Sequence, residues 1–186
     1  MWGGQEQLEI LFLGRITAEK GIDYILSACE KLKNNGINFK LHIAGKEQGI
    51  DNYIEQFTAA LGSLFCYEGV VYGKTKAELL KRCNVFLLPS FYEGLPMSLL
   101  EAMSYGEVPI VTDVGSINTV IDDKINGLFV QVKDSRSIVE AVTTLLENSD
   151  YKRRLSENAR LTIFEKFNPD IYLRHLNEIY KMMMKD

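Results

Sequence analysis

The chain has 186 residues, 46% of them hydrophobic and 25% charged, with a formal net charge of −4 at pH 7. That length suits one domain with a sizeable core, and the composition is that of a soluble globular protein. The acidic balance argues against a nucleic-acid binder, no apolar run approaches a bilayer span, and no signal-peptide pattern opens the chain.

In chain order, Met1-Trp2-Gly3-Gly4 reads as leftover linker, within a stretch 1–7 that precedes the first apolar run. Leu8–Leu13 is nearly continuous in apolar residues, which predicts a strand buried on both faces. Gly14 ends it, and a basic loop follows with Arg15 and Lys20. Ile22, Ile25, Leu26, Cys29 and Leu32 then recur at helical spacing, predicting a helix over about 21–34. A strand, a basic turn and a helix suit a phosphate cradle, because Arg offers a planar fork to the oxygens and Lys a mobile point charge. Phe39–Ala44 reads as a second strand with His42 on one face, 53–61 as a helix, and 65–72 as a third strand bent at Gly69. Thr75 and Glu78 are spaced as a capping box for a helix bearing Leu79 and Leu80.

The most informative segment lies between the next two predicted strands, Val85–Leu88 and Val108–Thr112. Glu93 stands before Gly94-Leu95-Pro96, and Glu101 follows eight residues after Glu93. Pro96 suits the first turn of a helix and Gly106 its end. Glu93 is therefore expected on a loop at a strand's carboxyl end, with Glu101 about one turn into the helix. Open α/β sheets bind ligands there, and a helix N-terminus favours an anionic group. Carboxylates around such a site can accept hydrogen bonds from sugar or ribose hydroxyls. Ser98-Leu-Leu-Glu101 also matches a capping box, in which Glu101 would serve only its own helix, so both readings stay open.

Beyond this segment come a short helix near 117–121, a strand near 127–130, and a helix capped by Asp134 that carries Ile138, Val142 and Leu145. From Tyr151 the pattern is helical only, with Asn168-Pro169 opening a last helix that contains Ile171, Leu176, Ile179 and Met183. Packing is favoured over a membrane-surface helix, because Glu157, Glu165, Asp170 and Glu178 dilute Lys152, Arg153, Arg154 and Arg160. Strands alternating with helices predict an α/β fold: a Rossmann-like, doubly wound parallel sheet over 8–150, followed by a helical tail over 151–186. Cys29, Cys66 and Cys83 are odd in number, lack metal-ligand spacing and fall in or beside apolar patterns, so buried reduced thiols and a cytoplasmic setting are expected. Neither His42 nor His175 belongs to a nucleophile motif, and no Asp-x-Asp and no His or Cys cluster suggests a metal.

Taken together, Gly14-Arg15-Ile16 with Lys20-Gly21, Pro89-Ser90, and Glu93-Gly94-Leu95-Pro96 with Glu101-Ala102-Met103 resemble the donor-binding half of the retaining glycosyltransferases of family 4, which have the GT-B fold. Ile43-Ala44-Gly45, Val71-Tyr72-Gly73, Gly106 with Pro109-Ile110-Val111, and Asn126-Gly127-Leu128-Phe129-Val130 extend the resemblance to most of the chain. It implies one half of a GT-B enzyme, lacking the N-terminal domain that would bind the acceptor. It also implies a nucleotide-diphosphate sugar as donor substrate, no further cofactor and no metal. On that reading Arg15 and Lys20 face the diphosphate, as do backbone donors around Met97 and Ser98. Glu93 holds donor-sugar hydroxyls and Glu101 the ribose. Gly73, Lys74 and Thr75 lie near the base, and Gly14, Gly94 and Leu95 complete the donor contacts. The location implied is the cytoplasm, with room for peripheral contact at the inner face of a membrane through the other half. The pattern departs from the family at Lys46-Glu47-Gln48, where a second glycine is usual, and at Ser116 and Thr119, where glycine and glutamate are usual. Pro96 also removes one backbone donor. A non-catalytic nucleotide-binding or regulatory module, and another enzyme on this fold such as a sugar-nucleotide epimerase or a phosphorylase, are the rival readings.

Overall fold

The computed structural model describes residues 7–49 and 51–184. Met1-Trp2-Gly3-Gly4 and most of the expected 1–7 linker lie outside the described residues, as do the side chains of Ile171 and His175. The elements alternate as expected: β1 (Leu8–Leu13), α1 (Ile22–Asn34), β2 (Phe39–Ala44), α2 (Tyr53–Leu61), β3 (Phe65–Gly69), α3 (Gly73–Arg82), β4 (Val85–Leu88), α4 (Met97–Tyr105), β5 (Val108–Thr112), β6 (Leu128–Val130), α5 (Ser135–Glu147), α6 (Ser149–Lys166) and α7 (Pro169–Met183).

All strand pairs are parallel, in the order β3-β2-β1-β4-β5-β6. The chain builds outward from β1 to β3, returns across the sheet to β4, and builds outward again. Connections after β1 and β4 therefore diverge, and a crevice opens at the carboxyl ends of these two neighbours. The central strands are apolar on both faces because helices cover both. Leu8, Ile10, Leu11 and Phe12 of β1 and every residue of β4 are buried. One helical layer has α1 against α2 and α5, and the other has α4 against α3 and α6.

Two glycines permit the close contacts that shape the crevice. A Cβ on Gly21, which has φ +76°, would stand 2.2 Å from the Pro89 carbonyl oxygen; one on Gly115, at φ +60°, would stand 1.8 Å from that of Glu93. The start of α1 and the turn after β5 thereby abut the loop after β4. Behind the crevice, Asn126 is buried and ties three segments together. Its amide donates to the Val120 carbonyl (2.9 Å) and to Thr162 Oγ1 on α6 (3.0 Å), while its Oδ1 accepts from the Asp122 amide (2.8 Å). This is the physical content of the Asn126-Gly127 motif.

Several local expectations are corrected. The third strand stops at Gly69 rather than running to Tyr72, because Gly69 turns to φ +69° after a register shift opposite Ile43 and Ala44. Thr75 does not cap α3: the helix begins at Gly73 after Tyr72, and Glu78 sits inside it, 3.8 Å from Lys74. Asp134 does cap α5, its carboxylate accepting from the Arg136 amide at 2.9 Å. Cys29 and Cys83 are buried thiols, but Cys66 is only partly covered, since β3 is an edge strand. In the tail, α6 buries Leu155 and Ala159, whereas Leu161, Phe164, Leu173, Ile179, Tyr180, Met182, Met183 and Met184 are exposed.

Candidate donor-binding site

The loops after β1 and β4 carry the residues that the sequence singles out, and the fold brings them together. Gly14 continues the β1 ladder by donating to the Ala44 carbonyl (3.0 Å), and Arg15 follows it, exposed and without a hydrogen bond or ion pair to any described residue. A 3-10 turn, Ala18–Lys20, then aims Lys20 across the crevice, with the Phe91 amide donating to the Glu19 carbonyl (2.9 Å) to lock the two loops.

Lys20 Nζ lies 2.7 Å from Glu93 Oε1, and the two side chains are only 14% and 8% exposed. Ser90, fully buried, donates its hydroxyl to the same oxygen at 2.7 Å. Thr112 in turn donates to the Ser90 carbonyl at 2.6 Å. Glu93 is thus held from the loops after β1 and β4, with Thr112 of β5 bracing Ser90 from behind, and both bonds fall on Oε1. Its Oε2 takes no bond from a described residue and is not shut away from solvent, so a ligand hydroxyl can donate to it. Lys20 likewise has donors left after its one bond to Glu93.

Glu101 is the fifth residue of α4, one turn in as expected. The capping-box reading fails, because the residue before the helix is Pro96 in extended conformation and no side chain caps it. Instead Glu101 Oε1 lies 2.7 Å from Lys76 Nζ on α3, a half-exposed pair that leaves Oε2 open. Between the two acids, the amides of Met97 and Ser98 have no acceptor among the described residues, as the opening of a helix requires. Gly94, Leu95 and Met97 are exposed at its mouth. Gly73, Lys74 and Thr75 open α3 on the flank where Lys76 meets Glu101, and Lys74 and Thr75 are exposed.

The segments that depart from the family pattern have structural employment. Lys46 and Gln48 bond the backbone of Ile16 (3.0 and 3.1 Å), and Glu47 accepts from the Ile54 amide (3.0 Å) at the start of α2. Ser116 donates its amide to the Gly94 carbonyl (3.1 Å), and Thr119 returns its hydroxyl to the Ser116 carbonyl (2.7 Å). Sequence reasoning noted Pro89-Ser90 as a motif but gave Ser90 no role, and it missed Thr112 and Lys76. Only the Ser90-to-Glu93 spacing, one turn apart, carried a local signal.

This geometry offers cations and free amides to an anion, with two half-open carboxylates for hydroxyls on either side. The profile of the family described as glycosyl transferases group 1 matches residues 4–162. The chain belongs to the group 1 glycosyl transferases. The chain is 33% identical over 178 residues to an uncharacterized glycosyltransferase of Methanocaldococcus jannaschii (MJ1607), an alignment covering 95% of the chain and 45% of the relative. It spans about half the length of the curated relatives it matches. HepE of Anabaena, solved in complex with UDP-glucose, superposes with a TM-score of 0.83 at 16% identity, over 95% of this chain and 49% of that one. The C-terminal domain of LpcC, a group 1 family protein of Francisella tularensis, superposes at 0.77 with 22% identity, over 87% of each. The structural neighbours are GT-B glycosyltransferases, and this chain has the fold of about half of such a chain. No helix among the described residues is long and apolar enough to cross a membrane.

Proposed function

We propose that this chain is the donor-binding half of a retaining glycosyltransferase that moves a sugar from a nucleotide-diphosphate sugar to an acceptor held by an N-terminal half. One observation carries the reading. Glu93 and Glu101 flank the open N-terminus of α4 at the sheet's switch point, each fixed by a lysine through one oxygen and free at the other. Arg15, Lys20 and the amides of Met97 and Ser98 would take the diphosphate, and their attraction would strengthen as charge develops on it during departure. Glu93 would hold donor-sugar hydroxyls, Glu101 the ribose, and Gly73, Lys74 and Thr75 the neighbourhood of the base, with Gly14, Gly94 and Leu95 completing the walls. No cofactor enters this scheme. The exposed apolar residues of the tail, Phe164, Ile179, Tyr180, Met182 and Met183 among them, suit a face for the other half, through which a peripheral membrane contact would also come.

The test is calorimetry of UDP- and GDP-sugars against this chain, with and without chelator, beside a transfer assay with and without the other half. Donor binding that ignores chelator, with transfer only when the other half is supplied, is the expected result. Holding the acceptor can contribute roughly 7–11 kcal/mol to lowering the barrier, which this chain alone forgoes. Failure of both sugar series to bind, or loss of binding on chelation, would overturn the proposal.

A further inference from the structure

On the sheet face beneath α3, three adjacent strands place a second polar cluster that the donor site does not use. His42 of β2 is in register with Cys66 of β3, and parallel partners share a face. Glu68, two residues on, and Glu9 of β1 reach the same imidazole. His42 is only 2% exposed, with Nε2 2.6 Å from Glu9 Oε2 and Nδ1 2.7 Å from Glu68 Oε1. Arg82, the last residue of α3, lies 3.2 Å from Nδ1 and also bonds Glu68. Sequence spacing gave no hint of this cluster, because His42 comes from β2 while Cys66 and Glu68 come from β3.

The placement of donors and acceptors around His42 is what makes the cluster more than an ion pair. Glu9 can only accept, so Nε2 must carry a hydrogen. Nδ1 then faces Glu68, which also only accepts, and the Arg82 guanidinium that reaches both is the positive group between them. The potential ligand atoms of His42, Cys66 and Glu68 all lie within 4.8 Å of one another. Bond lengths of about 2.0–2.3 Å to nitrogen, oxygen and sulfur require them to close to roughly 3.5 Å, a rotamer adjustment for the partly covered Cys66 and Glu68. One imidazole, one thiolate and one carboxylate suit a borderline-soft divalent ion and not Mg²⁺ or Ca²⁺, which select oxygen.

We propose that His42 Nδ1, Cys66 Sγ and Glu68 bind Zn²⁺, with Glu9 orienting the imidazole and Arg82 as the cation that stands in the site when metal is absent. Arg82 has a half-exposed side chain at a helix end, so it can withdraw to solvent. Coordination releases the Cys66 thiol proton to solvent as the sulfur–metal bond forms, and water takes the open fourth position. Such a site would tie edge strand β3 to β2. It is independent of the donor-site reading, since no residue is shared.

The 186-residue chain, freed of metal, would be titrated with Co²⁺ and then Zn²⁺. The expected result is one equivalent of Co²⁺ with a thiolate-to-metal charge-transfer band, displaced by Zn²⁺, and a higher melting temperature with Zn²⁺ but not with Mg²⁺. Cys66→Ser, a near-isosteric change at a partly covered position, should remove the band while the far-ultraviolet circular dichroism stays unchanged. Glu9→Gln should weaken Zn²⁺ binding by about 10- to 100-fold. Arg82→Gln should tighten it. No band in the parent chain, a band that survives Cys66→Ser, or Zn²⁺ affinity indifferent to both Glu68→Gln and Glu9→Gln would overturn the proposal.

Discussion

Replacing Lys20 with Met tests the centre of the candidate site, because the lysine has two separable duties. In the free chain it neutralises Glu93 across 2.7 Å in a setting where the two side chains are 14% and 8% exposed. A charge-assisted hydrogen bond contributes about 1.5–3 kcal/mol, and removing one partner of a shielded pair leaves the other poorly compensated. Among the described residues, Ser90 would remain as the only bond to that carboxylate. Lys20→Met should therefore lower unfolding free energy by about 2 kcal/mol, which for a chain of this size is roughly 4–8 °C in melting temperature. In the liganded state the same ammonium would meet a phosphate oxygen, and its loss should weaken UDP or GDP binding by about ten- to a hundred-fold. The double variant with Glu93→Gln separates the two duties. Removing the stranded carboxylate should restore most of the stability, yet diphosphate binding should stay weak because the cation is still missing. Denaturant melts and calorimetry with the nucleoside diphosphate read the two effects independently. If the double variant recovers diphosphate affinity along with stability, Lys20 acts only by holding Glu93 and the clamp is wrong.

Other outcomes follow from the same contacts. Glu101→Gln should weaken nucleoside binding by about tenfold with little change in melting, because Glu101 caps nothing and its Lys76 partner is half-exposed; a drop in melting without a drop in affinity would restore the capping role. Asn126→Ala should cost about 2–3 kcal/mol in a denaturant melt, since it leaves the Asp122 amide and the Val120 carbonyl without their bonds in a buried site. Glu107 is fully buried with neither oxygen bonded to a described residue, and burial raises its carboxyl well above the ordinary 4.5. A folded-state value above the unfolded one means that its stability contribution is complete below about pH 4.5 and is lost as pH rises toward the folded value, at up to about 1.4 kcal/mol per pH unit. Glu107→Gln should thus match the parent in melting near pH 4 and exceed it increasingly toward pH 7, and an equal offset at both pH values would count against a neutral buried acid.

The parts of the fold legible in the sequence are those governed by local pattern. Apolar runs at Leu8–Leu13, Val85–Leu88 and Val108–Thr112 became parallel strands at those bounds, because both faces of a central strand must be buried and that demand is written residue by residue. Helix ends were legible where a backbone requirement fixes them, as at Gly106, which has φ +85° after α4. They were misread where a side-chain spacing stood for a cap. Thr75-to-Glu78 and Ser98-to-Glu101 both have the right interval, yet each helix begins two residues or one residue earlier, at Gly73 and Met97, and the would-be caps fall inside it. A capping box works only if the first residue is extended, and the interval alone does not report that.

The site divides along the same line. That Glu93 and Glu101 would frame the start of a helix follows from the Pro96 and Gly106 punctuation around them. That each would arrive with a lysine on one oxygen does not, because Lys20 comes from β1's loop and Lys76 from α3, and only the strand order brings them near. The consequence is physical as well as topological. An isolated carboxylate beside a diphosphate would repel it, whereas a carboxylate already neutralised through Oε1 can offer Oε2 to a hydroxyl while its lysine still faces the anion. The His42 cluster obeys the same logic on the other side of the switch point. Its members look unremarkable at 9, 42, 66, 68 and 82, and they acquire meaning only when β1, β2 and β3 lie in register. Periodicity is a property of one element, but charge compensation belongs to the sheet. A sequence reader who places the strand order before assigning roles to charged residues would therefore look for the lysine partner of each acid and for the cation that His42 needs.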